Sequence, residues 1–333
     1  MTSLLGRPYA RQHRRVGIVC LTILLIVIGH LLTPIGGAWL HAVHILLRKL
    51  FLLPVILAAA WFGLRGALLA GAAISLIYLP YIWWDWTGNV AENINQYGEL
   101  ITIWITALLA GTVISREKAT LENVARMHEG SLITLVSALD AREHDTQLHS
   151  LRVRNYALRL GCEMKLSANE LRTLSEGALL HDVGKIGVPD QILLKTGSLS
   201  PDEWTIMREH PETGSRILSS APFLAEAARI VECHHEKYDG TGYPQRLCAE
   251  EIPLGARVFA VVDVFDALTT VRPYHEPISM DEAKEVIQQD SGTHFDPCVV
   301  AAFLRIKTTE LLNIQQQLDS YIIEKNTCGK LRQ

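Results

Sequence analysis

Four apolar runs in the first 115 residues constrain this chain more than any other feature: 16–33, about 45–63, about 66–84 and 100–115. A helix needs about 20 apolar residues to cross the hydrocarbon core of a bilayer, and only helices and closed barrels satisfy their backbone polar groups there. The runs therefore predict an N-terminal bundle of about four transmembrane helices. Arg11, Arg14 and Arg15 precede the first run and no small-residue cleavage site follows it, so it is expected to remain as an anchor. Four crossings put Arg11 to Arg15, Arg65, Arg116 and Lys118 on one side and Asp85, Glu92 and Glu99 on the other, which predicts cytoplasmic N and C ends. Arg48 and Lys49 fall toward the outer end of the second run, where they must snorkel or pair. Tyr78, Tyr81, Trp83, Trp84 and Trp86 read as an interfacial belt, and His30, His41 and His44 as interfacial or hydrogen-bonded side chains rather than ligands.

Beyond Ser115 the texture becomes that of a soluble domain. The expected organisation is a transmembrane region 1–115, a linker helix 116–130, a catalytic domain 131–305 and a helix and solvated tail 306–333. Leu121, Val124, Leu132, Leu135 and Leu139 recur at a helical period, which suits a connecting helix that pairs with its twin in a homodimer. A formal net charge of −4 without clustered Lys and Arg argues against polymeric nucleic acid as a partner. The six cysteines show no C-x-x-C spacing, so neither disulfides nor a thiolate zinc site is expected.

Chemistry concentrates in two tracts. In ELRTLSEGALLHDVGKIGVPD, the apolar face of Leu171, Leu174, Ala178 and Leu179 predicts a buried helix that delivers His181 and Asp182 at its end. Gly184 and Gly187 then let backbone approach closely. An imidazole beside a two-oxygen carboxylate suits a metal site in which the carboxylate bridges to a second ion. In AEAARIVECHHEKYDGTGYP, a helix runs into His234 and His235 and then a Gly- and Pro-rich lip, where Tyr243 offers a ring face and a hydroxyl to a ligand. Consecutive helical residues point about 100° apart, so these two histidines are expected to serve different ions, or an ion and a substrate. Each alone is weak, but with His149, His210 and Asp263 they form a mixed nitrogen and oxygen donor set that suits a pair of Fe or Mn ions.

With HDVGKIGVPD at 181–190, HHEKYDGTGYP at 234–244 and DVFDALTTVRPY at 263–274, the stretch from about Ser131 to Phe303 resembles the HD-GYP family of HD metallohydrolases. The resemblance implies an all-α fold and metal-dependent hydrolysis of cyclic di-GMP to the linear dinucleotide pGpG and then GMP. It implies a di-metal core of His149, His181, Asp182, His210, His234, His235 and Asp263, with Asp182 and Lys185 catalytic and Lys185, Tyr243 and Arg272 contacting substrate. Two cations about 3.5–4 Å apart acidify a bridging water and clamp a phosphate oxygen. Some members carry a glutamate where this chain has Asp145, which leaves room for a third ion on a shorter carboxylate. His275 stands where some members have a phosphate-binding lysine. The resemblance further implies a bacterial inner-membrane protein with a cytoplasmic catalytic domain, and GGDEF-type signalling proteins as partners for the GYP surface. The competing readings are an inactive cyclic di-GMP receptor, which intact ligand positions disfavour, and a hydrolase of another cyclic dinucleotide.

Overall fold

The computed structural model describes residues 2–33, 37–84, 90–143, 148–271 and 276–318. The chain divides into two compact units, Met1–Met127 and His128–Gln333. Among the described residues there is no β-strand, only two isolated bridges, so the all-α expectation holds.

The first unit contains α1 (Thr2–Leu32), α2 (Gly37–Leu50), α3 (Leu52–Trp84) and the first part of α4 (Val90–Glu143). By length and composition, three stretches among the described residues are apolar enough to cross a membrane: Gln12–Leu32, Ala42–Pro80 and Ile94–Arg142. The middle one folds back at Gly63, whose φ of 66° and ψ of −151° interrupt α3 beside the expected Leu64-Arg65 connection. The two legs touch: a Cβ at Gly66 would stand 2.7 Å from the Ala58 carbonyl oxygen, and the Phe51 and Tyr78 rings lie 6.0 Å apart. The Leu64 amide donates to Ser115 Oγ at 2.8 Å, and the Trp104 indole to Ser75 Oγ at 3.0 Å, which ties the second leg to α4. Small residues such as Ala58, Ala59 and Ala67 lie inside, whereas Leu69 and Leu76 are 72% and 77% exposed. An apolar outside over a small-residue interior is what lipid, not water, accommodates.

The awkward charges are resolved locally. Lys49 pairs with Glu99 at 2.7 Å, and buried Arg48 donates to the His44 carbonyl at 3.4 Å. The rings of His30 and His44 approach through their Nδ1 atoms at 3.2 Å, in keeping with a hydrogen-bonded role; the side chain of His41 lies outside the described residues. Tyr78 departs from the expected interfacial belt, because its ring is buried among Phe51 and His30.

The second unit takes the end of α4 and then α5 (Leu148–Glu163), α6 (Ala168–Leu180), α7 (Asp190–Leu193), α8 (Pro201–Met207), α9 (His210–Ser219), α10 (Ala225–Cys233), α11 (Leu254–Thr269), α12 (Met280–Gln289), α13 (Pro297–Leu304) and α14 (308–318). Helix starts are set by capping boxes at Ser167/Glu170, Ser200/Glu203 and Ser279/Glu282, each worth about 1 kcal/mol through its N-cap bond. Helix α11 is apolar on nearly every face, and Phe259 and Phe265 from it pack fully buried with Tyr156, Ile287 and Phe303. A second cluster packs Val136 and Leu139 of α4 with Leu179, Leu180, Val183 and Val231. The linker stripe therefore splits: its C-terminal part is buried core, whereas Leu121 and Val124 are 63% and 53% exposed. The segment read as a solvated tail is docked at its start, where Leu311 is fully buried and Glu310 pairs with Arg159 at 2.7 Å.

Candidate metal centre

Seven side chains expected to bind metal converge from three helices, α5, α9 and α11, and from the exits of α6 and α10. His181 caps α6, and Asp182 opens a short 3-10 turn, Val183–Gly187. That turn runs so close to α9 that a Cβ at Gly184 would stand 1.8 Å from the His210 carbonyl oxygen, so only glycine lets the two backbones bring Asp182 and His210 together. His234 follows the end of α10, and the lip folds back over it: a Cβ at Gly242 would meet the Lys237 amide at 2.3 Å and the His235 carbonyl at 2.6 Å.

Local hydrogen bonds fix the imidazoles. Nδ1 of His181, His210 and His234 faces the carbonyl three residues earlier, Ala178, Met207 and Val231, at 3.0, 2.8 and 2.6 Å. A carbonyl only accepts, so Nδ1 carries the hydrogen and each Nε2 presents a lone pair to the site. The donors fall into two groups, His210 with His234 and His235, and His149 with His181 and Asp263, and each group could hold an ion. Asp182 stands between them, with Oδ2 3.0 Å from His181 Nε2 and Oδ1 3.5 Å from His210 Nε2. The donor chemistry and the aimed lone pairs fit a pair of divalent cations.

The electrostatics agree. Burial and the neighbouring imidazoles hold His234 well below the ordinary histidine range and His235 down to about 4; burial likewise lowers His210. All three are neutral ligands at neutral pH. Burial pulls His149 down as well, but Asp263 and Asp266 outweigh it and push it up to about 10. Burial raises Asp182 and Asp263, yet His181 and Lys185 hold Asp182 well below the carboxylate range, and His149 brings Asp263 to about 2.

Lys185 Nζ lies 2.9 Å from Asp182 Oδ2, so the ammonium reaches the centre. The Tyr243 ring stacks on His235 at 4.8 Å and 28°, and the Arg208 guanidinium lies over the same Tyr243 ring, 5.3 Å from its centroid. Burial raises the Tyr243 hydroxyl to about 12, which keeps it a neutral donor. Contrary to the helical expectation, His234 and His235 share one group: just past the end of α10 at Cys233 their rings lie 4.0 Å apart, tilted by 40°. Asp145, Arg272 and His275 lie outside the described residues.

Sequence reasoning missed Asp266. It is fully buried on α11, accepts from Arg152 Nε at 2.6 Å and Nη2 at 3.0 Å, and lies 2.7 Å from His149 Nδ1. This carboxylate orients the ligand histidine as the backbone carbonyls orient the others. Its position three residues after Asp263, on the same helix face, was the available signal.

A family model described as an HD domain matches residues 120–299, more than half of the chain. The chain is 39% identical over 216 residues to a cyclic di-GMP phosphodiesterase of Vibrio cholerae, covering 60% of this chain and 44% of that protein. It is 43% identical over 168 residues to a cyclic di-GMP phosphodiesterase of Thermotoga maritima, covering 50% and 46%. It is also 40% identical over 172 residues to the 3'3'-cGAMP-specific phosphodiesterase 2 of Vibrio cholerae, covering 51% and 33%. The chain thus spans less than half the length of these relatives, and the match that covers most of its own second unit decides its kinship: it belongs to the HD-domain family.

Proposed function

We propose that this chain is a membrane-anchored, metal-dependent phosphodiesterase that hydrolyses cyclic di-GMP to pGpG, GMP or both. The observation that carries the reading is Asp182, with one oxygen toward each donor group and Lys185 Nζ 2.9 Å from one of them. The names of the similar proteins support the substrate class. Residues 1–115 form the anchoring and sensing region, 116–130 the linker, 131–305 the catalytic domain and 306–333 the tail, with both termini in the cytoplasm of a bacterium.

His149, His181 and Asp263 hold one divalent ion, His210, His234 and His235 the other, with Asp182 shared; Fe and Mn suit this mixed donor set. Bound there, the ions supply a water that ionises near neutral pH and positive charge against the phosphate. The Lys185 ammonium offsets the negative charge that grows on the phosphoryl oxygens. Tyr243 presents a neutral hydroxyl and a ring face at the rim, and Arg272 contacts substrate.

The test is the full chain purified in detergent without oxygen, with metal analysis and turnover of cyclic di-GMP and 3'3'-cGAMP side by side. Two metal equivalents and preferred turnover of cyclic di-GMP are expected. Preferred turnover of 3'3'-cGAMP, which the resemblance to the 3'3'-cGAMP-specific enzyme favours, would replace the substrate and keep the chemistry. Metal-loaded chain that hydrolyses neither would overturn the reading.

A further inference from the structure

The last turn of α4 carries Arg142, and every N–H of its guanidinium is spent on one loop. Nη1 donates to the carbonyls of Lys185 at 3.0 Å and Ile186 at 3.3 Å. Nη2 donates to the Val188 carbonyl at 2.6 Å and to Asp190 Oδ1 at 2.6 Å, and Nε to the same carboxylate oxygen at 2.8 Å. The loop so gripped is the exit from the 3-10 turn that begins after Asp182 and carries Lys185. The Lys185 carbonyl also accepts from the Val188 amide at 3.0 Å and shares its second lone pair with the guanidinium, and the three carbonyls lie at the negative end of the turn's peptide dipoles, so a cation there is favoured.

Only a planar five-donor fork can serve four acceptors at once; a lysine ammonium could not reach them from a single point. With the Lys185 carbonyl pinned on one side, the Lys185 side chain leaves the turn on the other and meets Asp182 Oδ2 at 2.9 Å. The Lys185 side chain is mostly covered, 22% exposed, whereas that of Asp190, the outer anchor of the grip, is 67% exposed.

We infer that Arg142 is a positioning residue through which the end of α4 sets Lys185 against the carboxylate shared by the two donor groups. The inference rests on the proposed role of Lys185 toward phosphate. The same helix, Val90–Glu143, carries the last stretch apolar enough to cross a membrane, so the residue that places Lys185 stands at the end of a membrane-entering element. A shift of its final turn relative to the loop must move the carbonyl of Lys185 or break the fork.

The full chain in detergent, metal-loaded, tests this in two ways. The first readout is independent of any substrate: amine-labelling rates resolved by lysine through mass spectrometry. In Arg142→Ala and Arg142→Lys, Lys185 should label at least threefold faster than in the parent, while Lys195, Lys237 and Lys284 keep their rates. Asp190→Asn, a change at an exposed residue that leaves the core intact, should give a smaller rise. An unchanged Lys185 rate, or a uniform rise across all lysines, overturns the inference whatever the substrate proves to be. The second readout is a double-mutant cycle on cyclic di-GMP turnover. Arg142→Ala should lower kcat about tenfold with metal content unchanged, and adding it to Lys185→Ala should lower kcat less than twofold further. Multiplying effects would show that Arg142 acts apart from Lys185. Faster Lys185 labelling in the Arg142 variants, with a parent chain that turns over no cyclic dinucleotide, would keep this inference and remove the proposed function.

Discussion

The two donor groups of the centre use the same imidazole chemistry and differ in charge. In the group of His210, His234 and His235, burial and mutual proximity keep the rings neutral, and two of the three are tied to backbone carbonyls. In the group of His149, His181 and Asp263, a second carboxylate stands behind the first: Asp266 reaches His149 Nδ1 while Asp263 Oδ1 lies 3.4 Å from its Nε2. That half is anionic, and without an ion it holds a proton on His149 up to about pH 10. The difference teaches that one half competes with protons for its ion and the other does not. Position in the fold causes it, since Asp263 and Asp266 both come from α11, whereas α9 and α10 supply only imidazoles.

Removing the shared group should erase the contrast altogether. Asp182→Ala takes one oxygen from each half, so both ions and activity should be lost together, with turnover down about 1,000-fold or more and helicity by circular dichroism retained. Retained metal with normal turnover would mean that the two halves are independent sites.

The contrast itself is sharpened by pH. His210→Ala leaves the anionic half intact and His149→Ala the imidazole half, so Mn binding can be followed in each by calorimetry. Below pH 10 an ion entering the anionic half displaces the His149 proton, so its apparent affinity should rise about tenfold per pH unit, about 100-fold from pH 6 to pH 8. The imidazole half, already unprotonated, should change little over that range. The sign reverses for metal-free stability. A raised histidine contributes its full share below its unfolded value of 6.5 and loses it as pH climbs toward 10, so the metal-free chain should weaken over that interval. Parallel pH slopes for the two halves would remove the distinction.

Asp266→Asn should loosen only the anionic half, by about tenfold in metal affinity. It also removes the negative charge that faces the buried Arg152 guanidinium, which costs about 3 kcal/mol in a thermal or urea denaturation. Burial raises Asp266, but its bonds to His149 and Arg152 hold it below its usual 3.8. The stability gap between parent and variant should therefore be complete at pH 5 and above and close as pH falls below about 4. Equal loss of metal from both halves would show that Asp266 supports the fold and not one ligand.

Much of this was legible because ligand residues announce themselves by type. His181 and Asp182 lie at a helix end whose buried face, Leu174, Ala178 and Leu179, is periodic in sequence, and the structure adds only their distances. The apolar runs were legible for the same reason, since hydropathy is a local property. What escaped depended on tertiary neighbours. Asp266 looked like one more helical carboxylate until Arg152 and His149, more than a hundred residues earlier, closed on it. Tyr78 belonged to an aromatic run, and the fold-back at Gly63 turned it inward against Phe51. Leu311 sat in a polar segment, and Arg159 and Lys284 drew that segment onto the core.

The smallest expected effect lies outside both halves. Asp145 falls four positions before His149, where a longer carboxylate would bring a third ion, and aspartate gives up about one carbon–carbon bond of reach. Metal–oxygen bonds tolerate errors of only about 0.2 Å, so that shortfall should leave a third ion weakly held or absent. The seven core donors, meanwhile, are already divided between two groups with Asp182 between them, and none of them needs Asp145 to complete its set. Asp145→Ala should thus lower turnover less than about tenfold, leave two ions bound after exhaustive dialysis, and keep the pH contrast between the halves. Three ions surviving dialysis, with Asp145→Ala as damaging as Asp182→Ala, would show that the shorter carboxylate is a full ligand and that the anionic half extends to a third site.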